Sequence, residues 1–179
     1  MTTESFHRLT RAVIAASVAN EWSAAVTEWD VTELEEDPTG SGECVCGQQE
    51  LVLLFTITNK RNGAQLHPIG STCVQKFGRT DLNRQVTLYS DLFRLRAAIL
   101  DNKHIALTSD YFSRAMIEYL NDEGAFTPDQ WDADGGYAFI LDMFNKRKKD
   151  EITRPQRAKI AVLLNRKILP FVLADERLG

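Results

Sequence analysis

Residues 42–78 read GECVCGQQELVLLFTITNKRNGAQLHPIGSTCVQKFG, and all three cysteines of the chain lie inside them. Cys44 and Cys46 are one residue apart in a Cys-x-Cys-Gly turn. The stretch LVLLFTITN is rich in aromatic and β-branched residues, which predicts a buried strand. Asn62-Gly63 marks a turn between two strands. AQLHPIG is then the returning strand, and Pro68 places it at an edge or near its end. STCVQKFG reads as a short helix capped by Ser71 or Thr72 and closed by Gly78.

A knuckle, a hairpin and a helix in this order are the layout of a treble-clef-like zinc module. Zinc takes thiolate and imidazole ligands, usually four of them in a tetrahedron. Gly47 relieves backbone strain as Cys44 and Cys46 turn towards one point. Cys73 stands at a helix start, where the dipole favours thiolate. Cys44, Cys46 and Cys73 leave the sphere one ligand short. His67 on the returning strand is the nearest candidate for the fourth. His104 and His7 are the remaining histidines, and a carboxylate or a water would also complete the set. The alternative is three buried thiols packed as small hydrophobes. An odd cysteine count argues against a disulfide framework. Three thiolates make a poor Lewis acid, and no neighbouring motif supplies a general base, so a structural zinc is expected rather than a catalytic one.

Upstream, ESFHRLTRAVIAASVANEW places Phe6, Leu9, Val13, Ile14 and Val18 at helical spacing. The period then shortens. AAVTEWDVTELEED reads as a half-exposed strand with Trp29 and Val31 inward. Downstream the pattern is helical. One helix carries Leu88, Leu92, Leu95 and Ile99 on one face, and a second is expected over TSDYFSRAMIEYLNDEG, opening with a capping residue and ending at Gly124. Two more are expected in YAFILDMFNKRKKD and TRPQRAKIAVLLNRKILPFVL, with Pro155 tolerated in the first turn of the last. Residues 1–80 therefore form an N-terminal helix plus a β-rich zinc module. Residues 81–179 form a helical body packed with it. The fold class is α+β.

The segments EWDVTELEED, CVCG, LLFTITN, NG, HPIGSTCVQKF and the later FILDMFNKRKKDEITRPQ resemble a small family of uncharacterised proteins of phages and actinobacteria. These share the Cys-x-Cys-Gly, a strand ending in Ile-x-Asn, a Gly-Ser-x-Cys followed by KF, and a Thr-x-x-Gln before the last helix. The likeness covers residues 21–78 and the helical tail. It implies the zinc module and a phage origin, and no activity.

Asn59 ends its strand before the turn. A turn-forming role is expected, with a brace to the knuckle as the alternative. Asp129, Asp132 and Asp134 beside Gly135 and Gly136 lack the ordered ligands of a calcium loop and read as a solvated loop. No dinucleotide, phosphate-loop or nucleophile-elbow motif is present.

The net charge of −4 is unevenly spread. Residues 1–50 carry ten acids and two bases, whereas Lys146–Lys167 carries nine bases and two acids. Lys146, Arg147, Lys148, Lys149, Arg154, Arg157 and Lys159 flank a helix break and form a candidate phosphate-binding face. The expected function is a non-enzymatic, zinc-stabilised protein binding nucleic acid or a nucleoprotein complex. The alternative is a phage-derived protein–protein inhibitor or adaptor, for example anti-defence, using the acidic TEWDVTELEED face. An enzyme is the third reading. The N-terminus lacks a secretory pattern and no apolar run spans a membrane, so a cytoplasmic location is expected.

Overall fold

The computed structural model describes residues 3–130 and 132–179. The chain divides into two compact units. One runs from the N-terminus through Ser90 and takes back Glu176–Gly179; the other is Asp91–Asp175. The division thus falls inside a helix, ten residues beyond the expected boundary at 80, and the last four residues return to the first unit.

The first unit opens with α1 (Thr3–Ala16) and the short α2 (Trp22–Ala25). A 3₁₀ turn, Val26–Glu28, leads into β1 (Trp29–Glu36). Strands β2 (Leu53–Asn59) and β3 (Gln65–Ile69) complete an antiparallel sheet of order β1-β2-β3, so β3 with Pro68 is an edge strand. Helix α3 (Ser71–Gln75) follows, then α4 (Thr80–Leu100), whose C-terminal half belongs to the second unit.

The expected inward residues Trp29 and Val31 are buried. Val31 then pairs with Ile57 and Glu33 with Thr56, so Thr32 is an extra residue in β1. This bulge reverses the alternation. Leu34 is therefore buried in place of Glu33. On β2, Phe55 and Ile57 are fully buried, with Ile69 of β3 paired beside Phe55, and Leu9 and Val13 of α1, which packs on β3, are buried as well. The Trp29 indole donates to Ser17 Oγ at 3.0 Å, which satisfies its one polar atom inside the core. The C-terminal turn Glu176–Leu178 packs on β1 and buries Leu178.

Two local expectations change. The hairpin turn is longer than an Asn-Gly pair alone: Lys60–Ala64 form the loop, with Gly63 at φ +73°. The N-cap of α3 is Gly70, with no side-chain cap from Ser71 or Thr72. Gly78 closes that segment at φ +69° as expected.

The second unit is helical. After the rest of α4 come α5 (Arg114–Asp122), α6 (Tyr137–Asn145), α7 (Arg154–Leu163) and α8 (Leu169–Ala174). Ser113 caps α5 by accepting from the Met116 amide. Thr153 and Gln156 form a reciprocal capping box on α7. That is the physical content of the Thr-x-x-Gln in the sequence. Between α7 and α8 the helix widens into a π turn, Leu164–Ile168. Pro170 has no N–H for the carbonyl four residues back, and the wider turn accommodates its ring. Among the described residues no helix is long and apolar enough to cross a membrane.

Candidate functional site

Cys44, Cys46 and Cys73 are brought together. Their sulfur atoms lie within 4.8 Å of one another, and all three residues are buried. The thiols are free of disulfides. Three local devices hold them. The knuckle closes on itself through Cys44 N to Gln48 O and Gly47 N to Cys44 O, at 2.8 and 2.7 Å. The Val45 amide donates to Pro68 O at 3.0 Å and pins the knuckle to β3. Helix α3 then delivers Cys73, whose amide bonds Gly70 O at 2.9 Å. Gly47 is required here: its φ is +84°, and a Cβ would come 2.7 Å from the Arg8 guanidinium.

The sulfurs are electrostatically unequal. Cys44 and Cys73 share a hydrogen bond at 3.5 Å. The Gly70 amide also donates to Cys44 Sγ at 3.3 Å. The contact with Cys73, aided by backbone amides, lowers the Cys44 thiol pKa against the opposing effect of burial. The same contact and burial push Cys73 upward. Through this contact the ionisation of one sulfur opposes that of the other, and a bound cation would relieve that opposition. Amides aimed at sulfur are the outer support that orients metal-binding thiolates.

His67 does not join this group. Its Nδ1 is 3.0 Å from Thr56 Oγ1 and its Nε2 is 3.1 Å from Glu35 Oε1. The reason is strand parity. His67 lies on the sheet face of Thr56, opposite the face of Phe55 and Ile57, and both ring nitrogens are engaged there. His7 is exposed on α1, His104 is exposed in the second unit, and neither is in the cluster.

Asn59 combines a turn role with one the sequence did not suggest. Its Oδ1 accepts from the Arg61 and Asn62 amides, as expected for a turn. Its Nδ2 donates to Glu28 Oε2 at 2.7 Å rather than bracing the knuckle. Glu28 is buried and also accepts from the Val18 and Ala19 amides and from Arg61 Nη1. Burial opposes its ionisation, but these hydrogen bonds outweigh that and hold the carboxyl below its ordinary value. The cluster ties the end of α1, the start of β1 and the β2–β3 turn together. Nothing local in the sequence marks Glu28, because its partners sit at positions 18–19 and 59–61.

The acidic strand is partly consumed. Glu35 faces His67, and Asp37 accepts from Thr39 and Ser41 hydroxyls and amides. Those bonds hold the Asp37 carboxyl at about 2.

The basic face is divided in the same way. Lys149 Nζ donates to the carbonyls of Met143 and Phe144 and caps the end of α6. Arg157 Nε donates to Ile152 O. Lys159 reaches Asp132 at 3.4 Å and lies over the Phe139 ring. Lys148 pairs with Glu151 at the surface. Lys146, Arg147 and Arg154 make no ion pair among the described residues. Asp129 and Asp134 of the aspartate loop are exposed as expected, and Asp132 is the one of the three that is drawn in. The Asp132 side chain is only 14% exposed, and Lys167, itself 8% exposed, donates to Thr127 O and Gly135 O beneath it.

Comparison of the chain with family models, with curated proteins and with solved structures gave no match.

Proposed function

We propose that the chain is a non-enzymatic binding protein whose hairpin module is a treble-clef-like zinc site formed by Cys44, Cys46 and Cys73, and that its partner is nucleic acid or a nucleoprotein assembly. The observation that carries the metal is the mutual closeness of three buried sulfurs on a Gly-containing knuckle and a helix start. Zinc about 2.3 Å from each sulfur in a tetrahedron sets neighbouring sulfurs about 3.8 Å apart. The cluster spans that spacing, so the residues present fit the ion. A water or a carboxylate would complete the sphere. Bound zinc would contribute folding energy to the hairpin, since the ligands come from both sides of it. With three thiolates on the ion and no base among its ligands, a role in catalysis is not supported.

The nucleic-acid reading is supported by Lys146, Arg147 and Arg154, which make no ion pair among the described residues. The rival acidic face is left mainly with Glu33 and Glu36 once Glu35 and Asp37 are engaged, which is less than an inhibitor of a basic surface would use. Elemental analysis of chelator-free protein tests the metal: one zinc per chain is expected, and none, with three freely titrating thiols in the native state, overturns it. A fluorescent oligonucleotide at low salt tests the partner: absence of any binding removes nucleic acid.

A further inference from the structure

Asn62-Gly63 is the only Asn-Gly pair in the chain, and it lies in the loop between β2 and β3. Such a pair carries its own reactants. The Gly63 backbone nitrogen can attack Cγ of the Asn62 side chain, because glycine has no Cβ to shield that nitrogen. A new N–C bond closes a succinimide ring, the amide proton goes to solvent base, and the Cγ–Nδ2 bond breaks with loss of ammonia. Water then opens the ring at either carbonyl and leaves aspartate or isoaspartate. Both residues are exposed, and a Cβ built on Gly63 would meet nothing within 4 Å, so neither base nor water is kept out.

The hydrogen bonds of the turn, rather than burial, hold this chemistry shut. Each reacting group is engaged. The nucleophile, Gly63 N, donates to Asn59 O at 2.9 Å. Asn62 Oδ1, on the carbon under attack, accepts from the Ala64 amide at 2.9 Å. The leaving nitrogen, Nδ2, donates at 3.0 Å to the carbonyl of Ala16, the last residue of α1. Asn59 fixes the loop beneath them. Its Oδ1 accepts from the Arg61 and Asn62 amides, and its own N–H reaches Ala64 O at 2.8 Å. A side chain tied at both ends does not swing its Cγ onto the neighbouring nitrogen, and an N–H already donating gives up its proton slowly.

We propose that Asn62-Gly63 is a self-modification site, unreactive in the closed turn and converted to aspartate and isoaspartate when the turn opens. The opening it requires is local, confined to exposed backbone hydrogen bonds of a loop. The conversion runs one way and changes the structure. Aspartate has no N–H for Ala16 O and sets a carboxylate against that carbonyl. Isoaspartate adds a methylene to the main chain and displaces Gly63 N from Asn59 O. Either product unties the end of α1 from the hairpin. No metal or nucleic acid takes part, so the proposal stands apart from the reading above.

The test incubates the full chain and the free peptide NKRNGAQ, with blocked termini, side by side in mildly alkaline buffer. Peptide mapping with mass spectrometry follows position 62. The peptide is expected to convert while the native chain retains Asn62. Asn59→Ala keeps the Asn-Gly pair and removes the side chain that fixes the loop. It should convert about tenfold faster or more than the native chain, as loss of even one hydrogen bond populates the open turn. If this variant does not fold, the wild-type chain in urea below its unfolding transition takes its place, and its rate should rise with urea. Asn62→Asp imitates one product and should lower the melting temperature while the circular dichroism stays unchanged. Conversion of the native chain at the peptide's rate overturns the proposal, as does a folded Asn59→Ala that converts no faster than wild type, or a wild-type rate indifferent to urea. Equal melting temperatures of Asn62→Asp and wild type overturn its consequence for α1.

Discussion

Replacing Asn59 by alanine removes the side chain that joins the β2–β3 turn to the buried Glu28. The structure allows the cost to be counted. The bond from Nδ2 to Glu28 is charge-assisted at 2.7 Å, and the bond from the Arg61 amide to Oδ1 is neutral at 2.8 Å. The bond from the Asn62 amide is long at 3.3 Å and adds little. With about 2 kcal/mol for the first and about 1 kcal/mol for the second, the loss is about 3 kcal/mol. If the whole chain unfolds together, each kcal/mol lowers the melting temperature by at least ~2 °C, so a drop of ~6 °C or more is expected by calorimetry. Asn59→Asp should be worse than Asn59→Ala, because it sets a second carboxylate against Glu28 in a buried site. Amide exchange at Arg61 and Asn62 should quicken in both variants. An unchanged melting temperature for Asn59→Ala, or a more stable Asn59→Asp, would refute the idea that this network holds the module together.

Chelation should lower the melting temperature of the native protein, and Cys46→Ser should erase the difference between zinc-loaded and chelated samples; free zinc at about 100 times Kd corresponds to about 2.7 kcal/mol. His67→Ala should leave zinc stoichiometry intact, since its ring nitrogens serve Thr56 and Glu35; loss of zinc in this variant would return His67 to the ligand set. Asp37 is depressed in the folded state to about 2, so its contribution to stability is complete above the unfolded carboxylate range and disappears as the pH falls through about 2. An NMR titration should show this, and Thr39→Val with Ser41→Ala should raise the midpoint part of the way, since the Thr39 and Ser41 amides still donate to the carboxylate. Lys146→Glu with Arg147→Glu should weaken oligonucleotide binding whatever its sequence and reduce the slope of log affinity against log salt by about two; an unaltered slope would place the contact elsewhere.

The reading of residues 42–78 carried well because its signals are local. A strand of LLFTITN, an edge proline, a glycine after the cysteine pair and a short helix each report a few neighbouring residues, and their order brings Cys73 back to Cys44 and Cys46 without further information. The capping box of α7 is local in the same way, two side chains three residues apart, although its Thr-x-x-Gln entered the sequence analysis only as part of the resemblance. What remained hidden depends on partners far away in the chain. The bulge at Thr32 is decided by pairing with β2 and turns Leu34 rather than Glu33 inward. His67 looked available as a ligand until strand parity set it on the Thr56 face. Lys149, Arg157 and Lys159 looked like a free basic face until carbonyls and Asp132 engaged them. Composition and spacing determine which elements form and which residues have the chemistry to act. Only the packed chain decides whether a charge is already satisfied, because a hydrogen bond depends on distance in space, and distance in sequence says nothing of it.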